Sequence, residues 1–141
     1  MKDKTNQKPV LVIPCSGIGK VHGLLTRETT YLVTDEMAPE QTETMCLGLL
    51  VKGEADAVEA VKTQSCITID GCPKMCAEKN VKIAGGNPFV VAVIDTLKKH
   101  PGAKPGSATD LSDEGWDIAR EIATKAADTA ARLYGGNEGI R

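Results

Sequence analysis

The apolar positions of this chain fall into short continuous runs separated by amphipathic stretches. Apolar runs containing Val or Ile predict strands at residues 8–14, 65–69 and 89–94, and the run at residues 44–50 predicts a short second strand or strand end. Apolar positions three and four residues apart predict helices at residues 24–35, 54–62 and 72–84. Because strands alternate with helices, we expect an α/β layered fold with a small, mainly parallel sheet and helices on its faces.

A longer amphipathic helix is predicted near the end of the chain. Apolar residues recur at helical spacing between Ser112 and Tyr134, and Gly135 with Gly136 ends the pattern. A segment rich in Pro and Gly, residues 100–107, precedes it. We therefore expect an α/β domain over residues 8–100, and over 101–141 a linker with an added C-terminal helix that packs on the same domain.

Composition narrows the classes of partner. The 141 residues suffice for one domain with its own core, and only 3% are aromatic, which argues against a base-stacking nucleic-acid platform. The formal net charge is −2 and no basic block is present, so we expect neither nucleic acid nor an anionic membrane as a partner. A metal ion and an unidentified protein remain as candidate partners, and the oligomeric state is open.

The first residues of the chain indicate the cellular location of the protein. Residues 1–8 are charged and polar, and the apolar run at residues 10–13 is too short for a signal peptide or a membrane span. We therefore expect a cytoplasmic protein. A reducing cytosol disfavours structural disulfides, and so does an odd number of cysteines.

Five cysteines are the unusual feature of the composition: Cys15, Cys46, Cys66, Cys72 and Cys76. Without disulfides, they are available for metal binding, thiol redox chemistry or simple burial. Cys66 lies inside the third predicted strand, and we expect it to pack in the core. The other four are the candidate ligands.

The predicted elements bring those four cysteines toward one edge of the sheet. Cys15 follows the first strand, Cys46 lies in the region of the second, and Cys72 follows the third. Cys76 is four residues beyond Cys72, so on a helix beginning near Cys72 both thiols would share one face. Four thiolates suit tetrahedral zinc or an iron–sulfur cluster, although the long gaps differ from the two local pairs of zinc fingers.

The cysteine pattern also resembles a known family. In chain order its residues are Cys15-Ser16-Gly17, Cys46, Asp70-Gly71-Cys72 and Cys76. This arrangement, over about residues 10–95, resembles the DGC domain family of proposed zinc-binding proteins, which is named for the Asp-Gly-Cys triplet. The resemblance implies a zinc site on Cys15, Cys46, Cys72 and Cys76, without implying a reaction, and makes the long final helix an addition to the pattern.

Two alternatives to a closed zinc site stay open. If only three cysteines bind, the fourth position is open to water, and Asp70 is a candidate base beside the metal. A protein of another class would hold an iron–sulfur cluster or cycle thiols on the same cysteines. The spacing of Cys72 and Cys76 is one residue longer than the C-x-x-C of dithiol oxidoreductases, which weakens the dithiol version.

Overall fold

The computed structural model describes residues 7–135; the first six residues of the charged amino-terminal segment and residues 136–141 lie outside it. Its strands are β1 (Val10–Pro14), β2 (Thr42–Glu43), β3 (Cys66–Asp70) and β4 (Phe89–Ala92). Its helices are α1 (Val21–Tyr31), α2 (Leu47–Val51), α3 (Ala55–Thr63), α4 (Cys76–Ile83), α5 (Val93–Leu97) and α6 (Asp113–Tyr134). A π-helical segment, Leu32–Met37, continues α1.

The four strands form one parallel sheet in the order β2–β1–β3–β4. The central strands β1 and β3 pair from Leu11 opposite Cys66 to Pro14 opposite Ile69. The prediction of an α/β fold with a mainly parallel sheet and surrounding helices is confirmed. Because parallel strands require crossovers, helices lie between them in sequence and cover the sheet in space.

Alternation along β1 sends its side chains to opposite faces of the sheet. Val10 and Val12 pack in one core with α1 and α6, whereas Leu11 and Ile13 pack in a second core with α3 and α4. Both faces of the strand are therefore buried, which is why its sequence is a continuous apolar run rather than an alternating pattern.

The predicted C-terminal helix is confirmed as α6. Ser112 caps it, since its hydroxyl oxygen accepts a hydrogen bond from the Gly115 N–H at 3.1 Å. Its buried face is built from Ile118, Ala119, Ile122, Ala123, Ala126 and Ala130. Gly136, the second residue of the predicted stop, lies outside the described residues. In the part of the chain that the structure covers, no helix combines the length and apolar character needed to cross a membrane.

The prediction of a second strand at residues 44–50 is wrong. β2 is only two residues long and ends at Glu43, and the apolar run after it forms the short helix α2. The Leu49 N–H bonds the carbonyl of Cys46, and the Lys52 N–H bonds that of Gly48. A short apolar run fits a buried strand or a buried helical turn equally well, so its composition does not separate the two.

The fourth strand is shorter than the predicted run of residues 89–94. β4 ends at Ala92, and α5 begins at the next residue with no intervening loop. The continuous apolar composition hides this change, because Val93 is buried in the helix as fully as it would be in a strand.

Candidate metal centre

Three neighbouring strands lead to the four candidate ligands. Cys15 directly follows β1, Cys46 caps α2 just after β2, and Cys72 follows β3 by two residues. Cys76 is the first residue of α4, which packs against α2. Since the carboxyl ends of parallel strands share one edge, all four cysteines belong to the same end of the sheet, as the sequence predicted.

The structure brings these cysteines to one region without closing them into a cluster. All are free thiols; Cys46 and Cys76 are exposed, whereas Cys15 and Cys72 are half-buried. Across residues 7–135, no three His, Cys, Asp or Glu side chains lie in an arrangement that could hold a metal ion. The four thiols therefore lie at one end of the sheet without forming a preformed tetrahedral site.

The helix expected to carry both Cys72 and Cys76 begins later than predicted. α4 starts at Cys76, and Cys72 lies in the preceding turn, where its carbonyl accepts from the Met75 N–H at 3.2 Å. Met75 has a left-handed backbone conformation, with φ of 52°, which separates the turn from the helix. The prediction that the two thiols share a helix face is therefore wrong. Pro73 suits a first helical turn, but it suits a β-turn as well.

Cys15 contacts the Asp-Gly-Cys loop directly. Its Sγ accepts a hydrogen bond from the Gly71 N–H at 3.4 Å and lies 3.8 Å from Thr26 Oγ1. The same Thr26 oxygen accepts from the Ser16 N–H at 3.0 Å. Backbone N–H donors of this kind stabilise and orient a thiolate ligand. A bond across 56 residues thus joins two parts of the cysteine pattern.

Asp70 caps α4. Its side chain is only 1% exposed, and its two oxygens accept from the Ala77 N–H at 2.7 Å and the Glu78 N–H at 3.0 Å. Burial raises the pKa of the Asp70 carboxyl above its ordinary value, while these two hydrogen bonds act in the opposite direction. Both oxygens are already engaged, so the carboxylate holds the start of α4 against the end of β3 rather than facing a reaction site.

Two glycines permit backbone contacts that a side chain would prevent. A Cβ on Gly71 would lie 2.7 Å from the carbonyl oxygen of His22 at the start of α1. A Cβ on Gly23 would overlap the carbonyl oxygen of Gly17. The loop after Cys15, the first turn of α1 and the Asp-Gly-Cys loop are therefore packed against one another by backbone. This packing gives the glycine of the triplet a physical role.

Backbone strain is concentrated beside the cysteines. Ser16, with φ of 55°, and Met75 are the two non-glycine residues with positive φ among residues 7–135. Ser16 follows Cys15, and Met75 precedes Cys76. The left-handed conformation costs an L-residue roughly 1–2 kcal/mol, and such residues occur preferentially at functional sites. Both strained residues therefore adjoin candidate ligands at this edge of the sheet.

A large open cavity lies on the Cys15 side of this edge. It measures about 1000 Å³, and both Cys15 and Cys46 line it together with Arg27. Cys72 and Cys76 are not part of its lining. The Arg27 Nη1 donates to the carbonyl oxygen of Ser16 at 3.3 Å and to its hydroxyl at 2.9 Å, which fixes the loop that follows Cys15.

Sequence reasoning missed Thr26 and Arg27. For Thr26 a signal was available, since three threonines lower the helix propensity of α1, and all three are buried: Thr26, Thr29 and Thr30. A threonine hydroxyl in a helix can bond a nearby backbone carbonyl, as Thr26 does with Gly23 at 2.7 Å. Arg27 gives no local signal, because its partners lie eleven residues earlier in a loop.

Cys66 lies in the core, as predicted. It is 2% exposed, and burial raises the pKa of its thiol to about 11. Its Sγ donates toward the carbonyl oxygens of Val61 at 3.8 Å and Gln64 at 3.5 Å. It begins β3, at the opposite end of that strand from Asp70, and so is separated from the other four cysteines.

Comparison with known proteins identifies one family. The family model of the DGC domain matches residues 11–128, a longer region than the expected 10–95. It includes most of α6, so the expectation that this helix is an addition to the family pattern is wrong. No curated protein and no solved structure matches the chain. The matched region contains all four candidate ligands, the Asp-Gly-Cys triplet, all of the sheet except Val10, and the starts of α1, α2 and α4. The chain belongs to the DGC domain family.

Proposed function

We propose that the protein binds one zinc ion through Cys15, Cys46, Cys72 and Cys76. The observation that carries this proposal is the hydrogen bond from the Gly71 N–H to Cys15 Sγ, because it ties the first cysteine to the loop that bears Cys72. Family membership is consistent with a metal-binding role. Four thiolates are a donor set that zinc takes in closed, structural sites.

The electrostatics of this edge favour such a site. Zinc with four thiolates has a formal charge of −2, which needs nearby donors and positive ends of helix dipoles. α1 and α4 both begin here. Lys20 directly precedes α1 in the loop after Cys15, and Lys74 lies between Cys72 and Cys76. Gly71 already supplies one N–H donor to sulfur. Thiolate sulfurs accept hydrogen bonds and carry negative charge, and the groups near them at this edge are N–H donors and cations.

Closing the site requires side chains to move. Cys46 and Cys76 are exposed, so their thiols change rotamer without displacing packed neighbours. Metal binding then supplies the free energy that orders the ligands, as in other small zinc domains. We expect zinc binding to raise the stability of this edge more than that of the remaining fold.

The proposed role is that of a metal-binding module. When bound, zinc with four thiolates has no open position for water, so it would hold together the segments that bear the cysteines and would not activate a nucleophile. Asp70 positions Cys76 by capping α4. Reduced free thiols suit the cytoplasm, which we propose as the location.

Elemental analysis of anaerobically purified protein tests the proposal. We expect about one zinc per chain in the wild type. Single Cys-to-Ser variants at the four ligand positions should lose most of it. Cys66→Ala is the matched control, because it removes a thiol that belongs to the core. Full zinc content in all four variants would contradict the proposal, and visible iron–sulfur absorbance would replace it with the electron-transfer alternative.

Cobalt substitution gives a readout of ligand number that does not depend on any activity. The intensity of the thiolate-to-cobalt charge-transfer band increases with each bound cysteine. The wild type should show the intensity of four thiolates. A band of three-thiolate intensity that Cys46→Ser leaves unchanged would contradict the four-cysteine site and establish one with an open position.

A further inference from the structure

The cavity beside Cys15 and Cys46 has the properties of a ligand site. Its volume of about 1000 Å³ is at the upper end of the range for small-molecule sites. Four separate segments form its walls: the loop after β1, helix α1, the region before and within α2, and the linker before α6. Its apolar and weakly polar lining includes Ile18, Tyr31, Met45, Leu47, Ala108 and Thr109.

Among residues 7–135, Arg27 is the only charged residue that lines this cavity. A guanidinium has five N–H donors, and the two bonds to Ser16 both use Nη1. Among residues 7–135, the Nε and Nη2 donors of Arg27 have no protein acceptor, and no carboxylate lies within ion-pair distance of it. Three donors of a half-buried cation are therefore available to a ligand.

The charge of this cavity contrasts with the rest of the protein. The chain has a formal net charge of −2, and a second cavity beside the linker is lined by Glu114, Asp117 and Glu121. In the part of the chain that the structure describes, no carboxylate lines the Arg27 cavity. A partly buried cation without a counter-ion is unfavourable, and the planar fork of Arg matches carboxylate and phosphate groups.

We propose that this cavity binds a small organic oxyanion, with its carboxylate or phosphate on Arg27 and an apolar part against Tyr31, Met45 and Leu47. Ser16 holds Nη1 and thereby sets the direction of the remaining donors. None of the side chains that would hold the oxyanion is one of the four proposed zinc ligands, so the two proposals can be tested separately. Binding would cover Cys15 and Cys46 from solvent.

Titration of the full chain, followed by amide NMR signals, tests this site. The probes are hexanoate, hexyl phosphate, inorganic phosphate and, as a charge control, hexylammonium. We expect saturable shifts at Ser16, Thr44 and Gly48 with the hexyl oxyanions. A preference for hexanoate or for hexyl phosphate identifies the oxyanion. No saturable shift at these residues with any oxyanion, or equal shifts with hexylammonium, would overturn the proposal.

Arginine variants separate ligand binding from a purely structural role. Arg27→Gln should weaken hexyl oxyanion binding by about tenfold or more, since it removes charged hydrogen bonds. Arg27→Lys keeps the charge without the fork and should bind with intermediate affinity. Arg120→Gln is the matched control on the Trp116 side of the protein and should bind as the wild type does. Equal affinity in all three variants would contradict the assignment.

Repeating the titration on chelator-treated and zinc-loaded protein distinguishes this inference from the metal proposal. Oxyanion binding that survives chelation supports the cavity site whatever the zinc content. A chain that binds zinc but shows no oxyanion shifts contradicts the cavity site alone. The amide NMR spectrum of Arg27→Gln without ligand shows whether this variant is folded.

Discussion

The two ends of the parallel sheet use cysteine in opposite ways. At the amino end, Cys66 begins β3, is almost fully buried, and donates only to backbone carbonyls. At the carboxyl end, Cys15 follows β1, is half-buried, and accepts an N–H from the neighbouring loop. The residues are chemically identical, but one sulfur has donors around it and the other has acceptors and apolar side chains.

The difference shows what makes this edge suitable for chemistry. Around Cys66 the thiol is held neutral by burial, which raises its pKa to about 11. Around Cys15, by contrast, glycine contacts at Gly23 and Gly71 bring backbone N–H groups and helix starts together. The contrast therefore comes from the loops beyond the strands and not from the strands themselves.

The largest expected effect is that of removing a glycine contact at the carboxyl edge. Gly23→Ala should lower the free energy of unfolding by about 3 kcal/mol, because its Cβ would overlap the carbonyl oxygen of Gly17. Urea unfolding under reducing, metal-free conditions measures this loss. Gly19→Ala, in the same loop but with no atom within 4 Å of its added Cβ, is the matched control and should stay near wild type. Equal stability of the two variants would show that the close contact at Gly23 does not stabilise the carboxyl end of the sheet.

A smaller loss is expected from removing the cap of α4. Asp70→Ala leaves two buried N–H groups without acceptors, which should cost about 2 kcal/mol in the same unfolding measurement. Asp70→Asn keeps one acceptor and should lose about half as much. Asp128→Ala, on the exposed face of α6, should change little. If Asp70→Ala were as stable as Asp128→Ala, the capping role would be excluded.

The smallest expected effect concerns the ionisation of Cys66, at the amino end of the sheet. The pKa of the Cys66 thiol is raised from 9.0 to about 11, so the folded chain keeps a proton that the unfolded chain loses above pH 9. Stability that is fully present below pH 9 is therefore lost as the pH rises through 9 toward 11. By pH 10, wild type should lose about 1 kcal/mol relative to Cys66→Ala, measured by urea unfolding at pH 8 and pH 10. A constant difference between the two proteins would show that Cys66 ionises in the folded chain as it does in the unfolded chain.

The sequence predicted most of the scaffold because its signals are local. Continuous Val- and Ile-rich runs identified β1 and β3, and helical periodicity with Ser112 and a terminal glycine identified α6. It failed at α2 and at the start of α4. In both places the short segment is compatible with two conformations, and its contacts with neighbouring elements select one. The α2 segment packs against α4 as a helix, and the left-handed backbone of Met75 delays the start of α4.

The sequence by itself determined the alternation of strands and helices, the burial of Cys66 and the four cysteines that reach one edge. Only the tertiary structure decided which of them interact and with what. The Cys15 and Gly71 contact spans 56 residues, and Arg27 reaches a loop on another element. Periodicity reports which face of a segment is buried, whereas these contacts depend on strand pairing and on backbone approach between loops. They are properties of the assembled fold, and no local stretch of sequence encodes them alone.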